Sequence, residues 1–191
     1  MKFGIRAHNI KAAGLKDLSA KCAGLGIENI QLALAKSFPD FKRGSFTPLY
    51  ARKIRDAFST NGISVAVLGA YINCIHPDKD VRKSELDFFK EQLRFAKFIG
   101  ADMVGLETSS MEGADKEYAY GCVLESMREL TEYAEKLGVM IGVEGVWAHV
   151  INSPDMMRRL TDDLNSPNVG VIFDPVNYIN SENYTRQREI I

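Results

Sequence analysis

Four times along this chain an amphipathic run closes on a glycine and an apolar run opens directly after it: Gly26 before IENIQLAL, Gly62 before ISVAVLGAY, Gly100 before ADMVGLE and Gly138 before VMIGVE. Glycine enters the left-handed backbone that ends a helix without the steric cost a side chain brings, so each reads as a helix C-cap feeding a strand. A further strand is entered through Ser166-Pro167-Asn168. Strands separated by helices run parallel and are joined by right-handed crossovers, which leaves few folds open to such a chain.

The pattern predicts strands over 3–8, 28–34, 63–71, 102–107, 139–144 and 169–174. Helices are expected over 14–24, 47–61, 80–99, 116–137 and 153–164, with a further one starting at Asn183. Phe88, Phe89, Leu93, Phe95 and Ala96 make a broad apolar stripe, as do Val123, Met127, Leu130, Tyr133 and Ala134, and each suits a helix packed on a sheet. Thr47-Pro48 and Ser153-Pro154 supply the N-cap and first-turn residues of two others.

Such alternation builds either an open doubly wound sheet or a closed barrel. An open sheet concentrates its polar chemistry at one switch point, whereas a barrel gathers it from nearly every strand end. Here the strand ends carry His8 and Asn9, Gln31, Asn73 and His76, Glu107, Glu144 and His149, then Asp174 and Asn177. That spread predicts an α/β fold of the (β/α)8 TIM-barrel class. Gly105, Gly142 and Gly170 fall at period two with Glu107, Glu144 and Asp174, which places small residues on the crowded inner face. A barrel takes eight units and about 250 residues, so the six units here leave roughly 60 residues unaccounted for. The expectation is one domain over 1–191, incomplete at its C-terminus, or a homo-oligomer in which a partner completes the barrel.

A formal net charge of −1 lacks the footprint of a nucleic-acid binder, and Lys42-Arg43 and Arg158-Arg159 read as solvated surface. No apolar run approaches the roughly 18 residues of a membrane span, and MKFGIRAHNI reads as a strand rather than a signal peptide. Cys22, Cys74 and Cys122 match no redox or metal spacing, so a cytoplasmic protein with idle thiols is expected. Gly24-Leu-Gly26 lies in the wrong order for a dinucleotide fingerprint, and no nucleophile elbow is present.

Glu144 and Asp174 each end an apolar run. A carboxylate there must be hydrated at a cleft, paired or metal-bound, with an internal ion pair to Arg6 as the alternative. Arg6 itself stands inside a short strand, where it either pairs with an interior acid or holds an anionic substrate group. His76 and Asn73 lie in a loop overhanging the mouth and read either as substrate contacts or as loop-fixing groups, and the same choice holds for His8 and His149. Glu107 is a substrate-binding acid or a loop anchor, and Trp147 is an apolar wall or surface packing.

Taken through GIRAHNI, YINCIHPD, VGLETSS, IGVEGVWAHVINSPDMMRRL and SPNVGVIFDPVNYI, the chain resembles the xylose-isomerase-like TIM barrels. In particular it resembles the sugar phosphate isomerase/epimerase group, which includes ketose 3-epimerases and, more distantly, apurinic endonucleases. The resemblance implies a divalent metal held by Glu144 and Asp174, together with a His and a Glu from later strands that fall beyond Ile191. The epimerases carry a His three residues after the strand-six Asp; Asn177 stands there and is the corresponding substrate contact. The substrate-contacting Glu that follows their strand-five ligand has no counterpart in GVWAHVIN.

The resemblance further implies an isomerase or epimerase acting on a sugar or sugar phosphate. A proton next to a carbonyl would move through a metal-stabilised enediolate, with Glu144 as one of the proton-transferring carboxylates. Mn²⁺ or Mg²⁺ suits oxygen-rich ligation, with Zn²⁺ favoured if the site is hydrolytic. The alternatives are a metal-dependent phosphodiesterase of the apurinic-endonuclease type and a non-catalytic truncated barrel.

Overall fold

In the computed structural model, which describes residues 3–186 and Arg188, six parallel strands form one sheet in sequential order. They are β1 (Gly4–Arg6), β2 (Asn29–Leu32), β3 (Ser64–Gly69), β4 (Met103–Glu107), β5 (Met140–Glu144) and β6 (Val169–Ile172). The helices are α1 (Leu15–Gly24), α2 (Leu34–Ser37), α3 (Pro48–Ser59), α4 (Lys79–Ile99), α5 (Lys116–Leu137) and α6 (Pro154–Leu164). Neighbour-to-neighbour parallel pairing through all six strands is the TIM-barrel pattern, with β1 and β6 as the two edges among the described residues.

Local chemistry explains the helix ends. Thr47 and Ser153 accept backbone N–H bonds from Tyr50 and Met156 ahead of a first-turn proline, while Asp78 and Asp115 each accept two such bonds. Gly100 and Gly138 close α4 and α5 in the left-handed conformation, at φ 86° and 60°. Gly26 and Gly62 are also left-handed but sit just past the caps, which are Leu25 and Thr60.

Several boundaries differ from the sequence pattern. The first strand stops at Arg6 because Ala7–Asn9 form a 3-10 turn closed by the Ile10 N–H on the Ala7 carbonyl, so His8 lies in that turn rather than in a strand. The second strand stops at Leu32, and the single helical turn Leu34–Ser37 follows it unforeseen. The sixth strand ends at Ile172 because Asp174 caps a 3-10 turn over Pro175–Tyr178, and Pro175 has no N–H to continue a ladder. Of the helix expected from Asn183, the 3-10 turn Tyr184–Arg186 is seen, and most of the rest lies outside the described residues.

The sheet has two unlike faces. Outward, Ile30, Leu32, Leu68, Val104, Leu106, Ile141 and Val143 pack against helix residues such as Phe58, Phe89, Leu93 and Leu130, all at most 1% exposed. Each buried side chain of this size contributes about 1.5–3 kcal/mol. Inward, a Cβ on Gly105 would lie 2.8 Å from Ile172 Cδ1, and one on Gly142 would overlap the Met103 sulfur, so glycine is what admits these bore-filling side chains. Cys22, Cys74 and Cys122 are free and buried, and burial pushes the Cys74 thiol up to about 12. Among the described residues no helix is long and apolar enough to cross a membrane.

Candidate active site

Strand register gathers three acids. The last residues of β4 and β5, Glu107 and Glu144, are direct register partners, and Glu144 is in turn opposite Ile172. Asp174 follows two residues later, so period two returns it to the inner face. Glu144 is 7% exposed, and its Oε1 accepts a 2.7 Å bond from the Asn177 amide. Burial pushes its pKa above the ordinary carboxylate value, the charges of Glu107 and Asp174 add to this, and Arg6 and the Asn177 bond oppose it. Among the described residues Arg6 makes no ion pair with Glu144.

The turn after β6 delivers Asn177. Asp174 Oδ1 accepts the Val176 N–H at 3.0 Å, and the chain then folds back until the Tyr178 ring lies on Gly145, where any Cβ would overlap it. The Trp147 N–H donates to the Asn177 carbonyl at 2.8 Å, tying the loops after β5 and β6 together. The Trp147 ring is 51% exposed and so forms surface rather than a closed wall. Next to it, His149 Nδ1 lies 3.9 Å from Glu107 Oε2 and has no hydrogen-bond partner. Burial lowers the His149 pKa, with Glu107 opposing.

Basic and aromatic groups occupy the opposite side. Arg6 is the register partner of Gln31, whose amide donates to the Tyr71 hydroxyl at 3.1 Å. Lys36 Nζ stands 3.3 Å above the centre of the Tyr71 ring, and His8 meets that ring edge-on at 6.3 Å. Neither Lys36 nor Tyr71 stands out in the sequence. The available signal was position, since both follow strand ends as the other mouth residues do.

Asn73 and His76 are committed to their own loop. Asn73 Oδ1 accepts from the Ile75 N–H at 3.2 Å, and His76 Nδ1 accepts from the Asp78 N–H at 3.1 Å. No hydrogen bond or ion pair among the described residues joins either to the Glu144 group.

Glu144 and Asp174 offer carboxylate oxygens of the kind hard divalent cations take, and the burial and neighbouring acids that raise the Glu144 pKa would be offset by a cation there. Among the described residues no group of three or more His, Cys, Asp and Glu side chains is arranged to hold a metal.

The sequence matches the family described as xylose isomerase-like TIM barrel over residues 19–190. The chain belongs to that family. No curated protein sequence matches it. Among solved structures it is similar to the IolI protein with a binding zinc atom, at 21% identity and a TM-score of 0.76, covering 93% of this chain and 64% of the other. It is also similar to D-psicose 3-epimerase in the presence of D-fructose, at 22% identity and a TM-score of 0.73, covering 90% and 62%. The 3-keto-D-glucoside 4-epimerase YcjR from E. coli matches at 15% identity and a TM-score of 0.79, covering 100% and 76%. The chain thus spans less than two thirds of the length of the first two, and the likeness to all three is one of fold.

Proposed function

We propose that this xylose isomerase-like barrel is a divalent-metal-dependent isomerase or epimerase of a sugar or sugar phosphate. The observation that carries the reading is Glu144: a carboxylate at the mouth, buried beside Glu107 and Asp174, its pKa raised and one oxygen held by Asn177. Epimerases among the proteins of like fold support the choice of reaction class.

Isomerisation or epimerisation removes a proton from carbon beside a carbonyl. Glu144 is the group assigned to take it, because a carboxylate with a raised pKa holds the transferred proton better than an ordinary one. The Asn177 amide holds Oε1, and the other oxygen is the one assigned to proton transfer. Glu107 and His149, 3.9 Å apart on the neighbouring strand end and loop, are the groups assigned to sugar hydroxyls. Glu144 and Asp174 would hold a Mn²⁺ or Mg²⁺ ion, whose positive charge would favour an enediolate-like charge distribution.

Proton exchange tests this directly. With Mn²⁺ in D₂O, the chain should exchange the proton next to the carbonyl of D-fructose, D-tagatose or a ketose phosphate, followed by ¹H NMR. Glu144→Gln should abolish the exchange. Absence of exchange for all three in the wild type, or full exchange in the variant, would overturn the reading.

A further inference from the structure

We infer that Arg6 and Lys36 form an anion-binding subsite on the β1–β2 side of the mouth, and that it takes the carboxylate or phosphate group of an anionic sugar. This inference rests on the sugar-enzyme reading above and narrows its substrate class.

The subsite is built from the backbone upward. Tyr71 folds into the space over Gly69, where a Cβ would meet both Tyr71 Cε2 and Ala33 Cβ at 3.2 Å. So placed, the Tyr71 ring carries the Lys36 ammonium 3.3 Å above its centre, and its hydroxyl accepts the Gln31 amide. Gln31 stands in register with Arg6, and the two border a trough of about 420 Å³ over the inner face of β1–β3. Gln31 is thus in strand register with one cation and hydrogen-bonded to the ring that carries the other.

Among the described residues neither Arg6 nor Lys36 has a carboxylate within 4.0 Å. Lys36 sits below its ordinary pKa, chiefly through burial and with Arg6 contributing, even though Glu107 and Glu144 pull the other way. His8 is lowered in the same manner by burial, Arg6 and Lys36. Arg6 and Lys36 are both exposed, and two like charges beside one ring are less favourable alone than once an anion joins them.

The ligand class follows from the donors. A guanidinium fork takes two oxygens of one carboxylate or phosphate, and an ammonium adds a point charge. The acids Glu107, Glu144 and Asp174 repel an anion from the other half of the mouth. A sugar acid or sugar phosphate would therefore bind with its charged end at Arg6 and Lys36 and its carbonyl end at Glu144.

Calorimetric titration of the 191-residue chain with inorganic phosphate, D-gluconate and neutral D-fructose, without metal, tests this. Phosphate or gluconate should bind, whichever does so identifying the charged group. Arg6→Gln and Lys36→Gln should each weaken that binding roughly tenfold or more, the cost of one charge-assisted hydrogen bond. Lys36→Arg should restore most of it, and Lys53→Gln, on exposed α3 surface, should leave it unchanged. Failure of both anions to bind, equal binding of neutral fructose, or unchanged affinity in both Gln variants would overturn the subsite. Because no metal is present, that failure leaves metal-dependent proton exchange standing, and loss of exchange leaves anion binding standing.

Discussion

In the half of the mouth made by β4, β5 and β6, side chains close the bore: Ile172 and Met103 lie directly on Gly105 and Gly142, and the acids Glu107, Glu144 and Asp174 stand above them. In the half made by β1, β2 and β3 the bore is a trough of about 420 Å³, bordered by Arg6 and Gln31, with His8, Lys36 and Tyr71 above. One half is filled and acidic, the other open and basic. Which positions carry glycine and which carry charge thus gives this six-stranded sheet a direction. Under the proposed function, a polar ligand at such a mouth would be met by opposite fields at its two ends, which would orient it.

The largest expected effect comes from filling each half in turn. Gly142→Ala puts a Cβ 2.8 Å from Ile172 Cγ1 and onto the Met103 sulfur, an overpacking that should cost about 1–3 kcal/mol by chemical denaturation. Ala66→Val adds its two methyl carbons to the exposed trough and should stay within about 0.5 kcal/mol. Equal losses in the two variants would break the contrast between a filled and an open bore.

A smaller effect separates the two fields. His149 faces Glu107, whereas His8 faces Arg6 and Lys36; burial lowers both pKa values below the ordinary 6.5. A base lowered on folding contributes stability that is present above its unfolded value and lost as pH falls through its folded value, so stability should decline as pH drops below about 6.5. Imidazole NMR titrations should show Arg6→Gln raising the His8 pKa and leaving His149 in place, and Glu107→Gln lowering that of His149 and leaving His8 in place. A common shift of both histidines in either variant would mean the two halves are not electrically distinct.

The order of elements was legible because it is written in local chemistry. Gly100 and Gly138 stop helices, Thr47-Pro48 and Ser153-Pro154 start them, and the stripe through Phe89 and Leu93 needs a sheet to lie on. The turn Leu34–Ser37 was not, since four residues are too few to show a helical period. At the mouth, period two alone puts Glu107, Glu144 and Asp174 on one face. What the pattern could not reveal is how polar groups spend their bonds. Asn73 and His76 satisfy their own loop, Asn177 reaches back to Glu144, and Lys36 finds a ring 35 positions along the chain, at Tyr71. Such pairings depend on rotamers and loop paths that leave no periodic trace.

The most direct test of a metal-assisted acid half is a titration of Mn²⁺ into the wild-type chain, Glu144→Gln and Asp174→Asn, followed by calorimetry. Mn²⁺ should bind the wild type, and each variant should lose at least roughly 10–100-fold in affinity, the loss seen even for outer-shell partners of a metal. Unchanged Mn²⁺ affinity in both variants would contradict the assignment of Glu144 and Asp174 as its ligands.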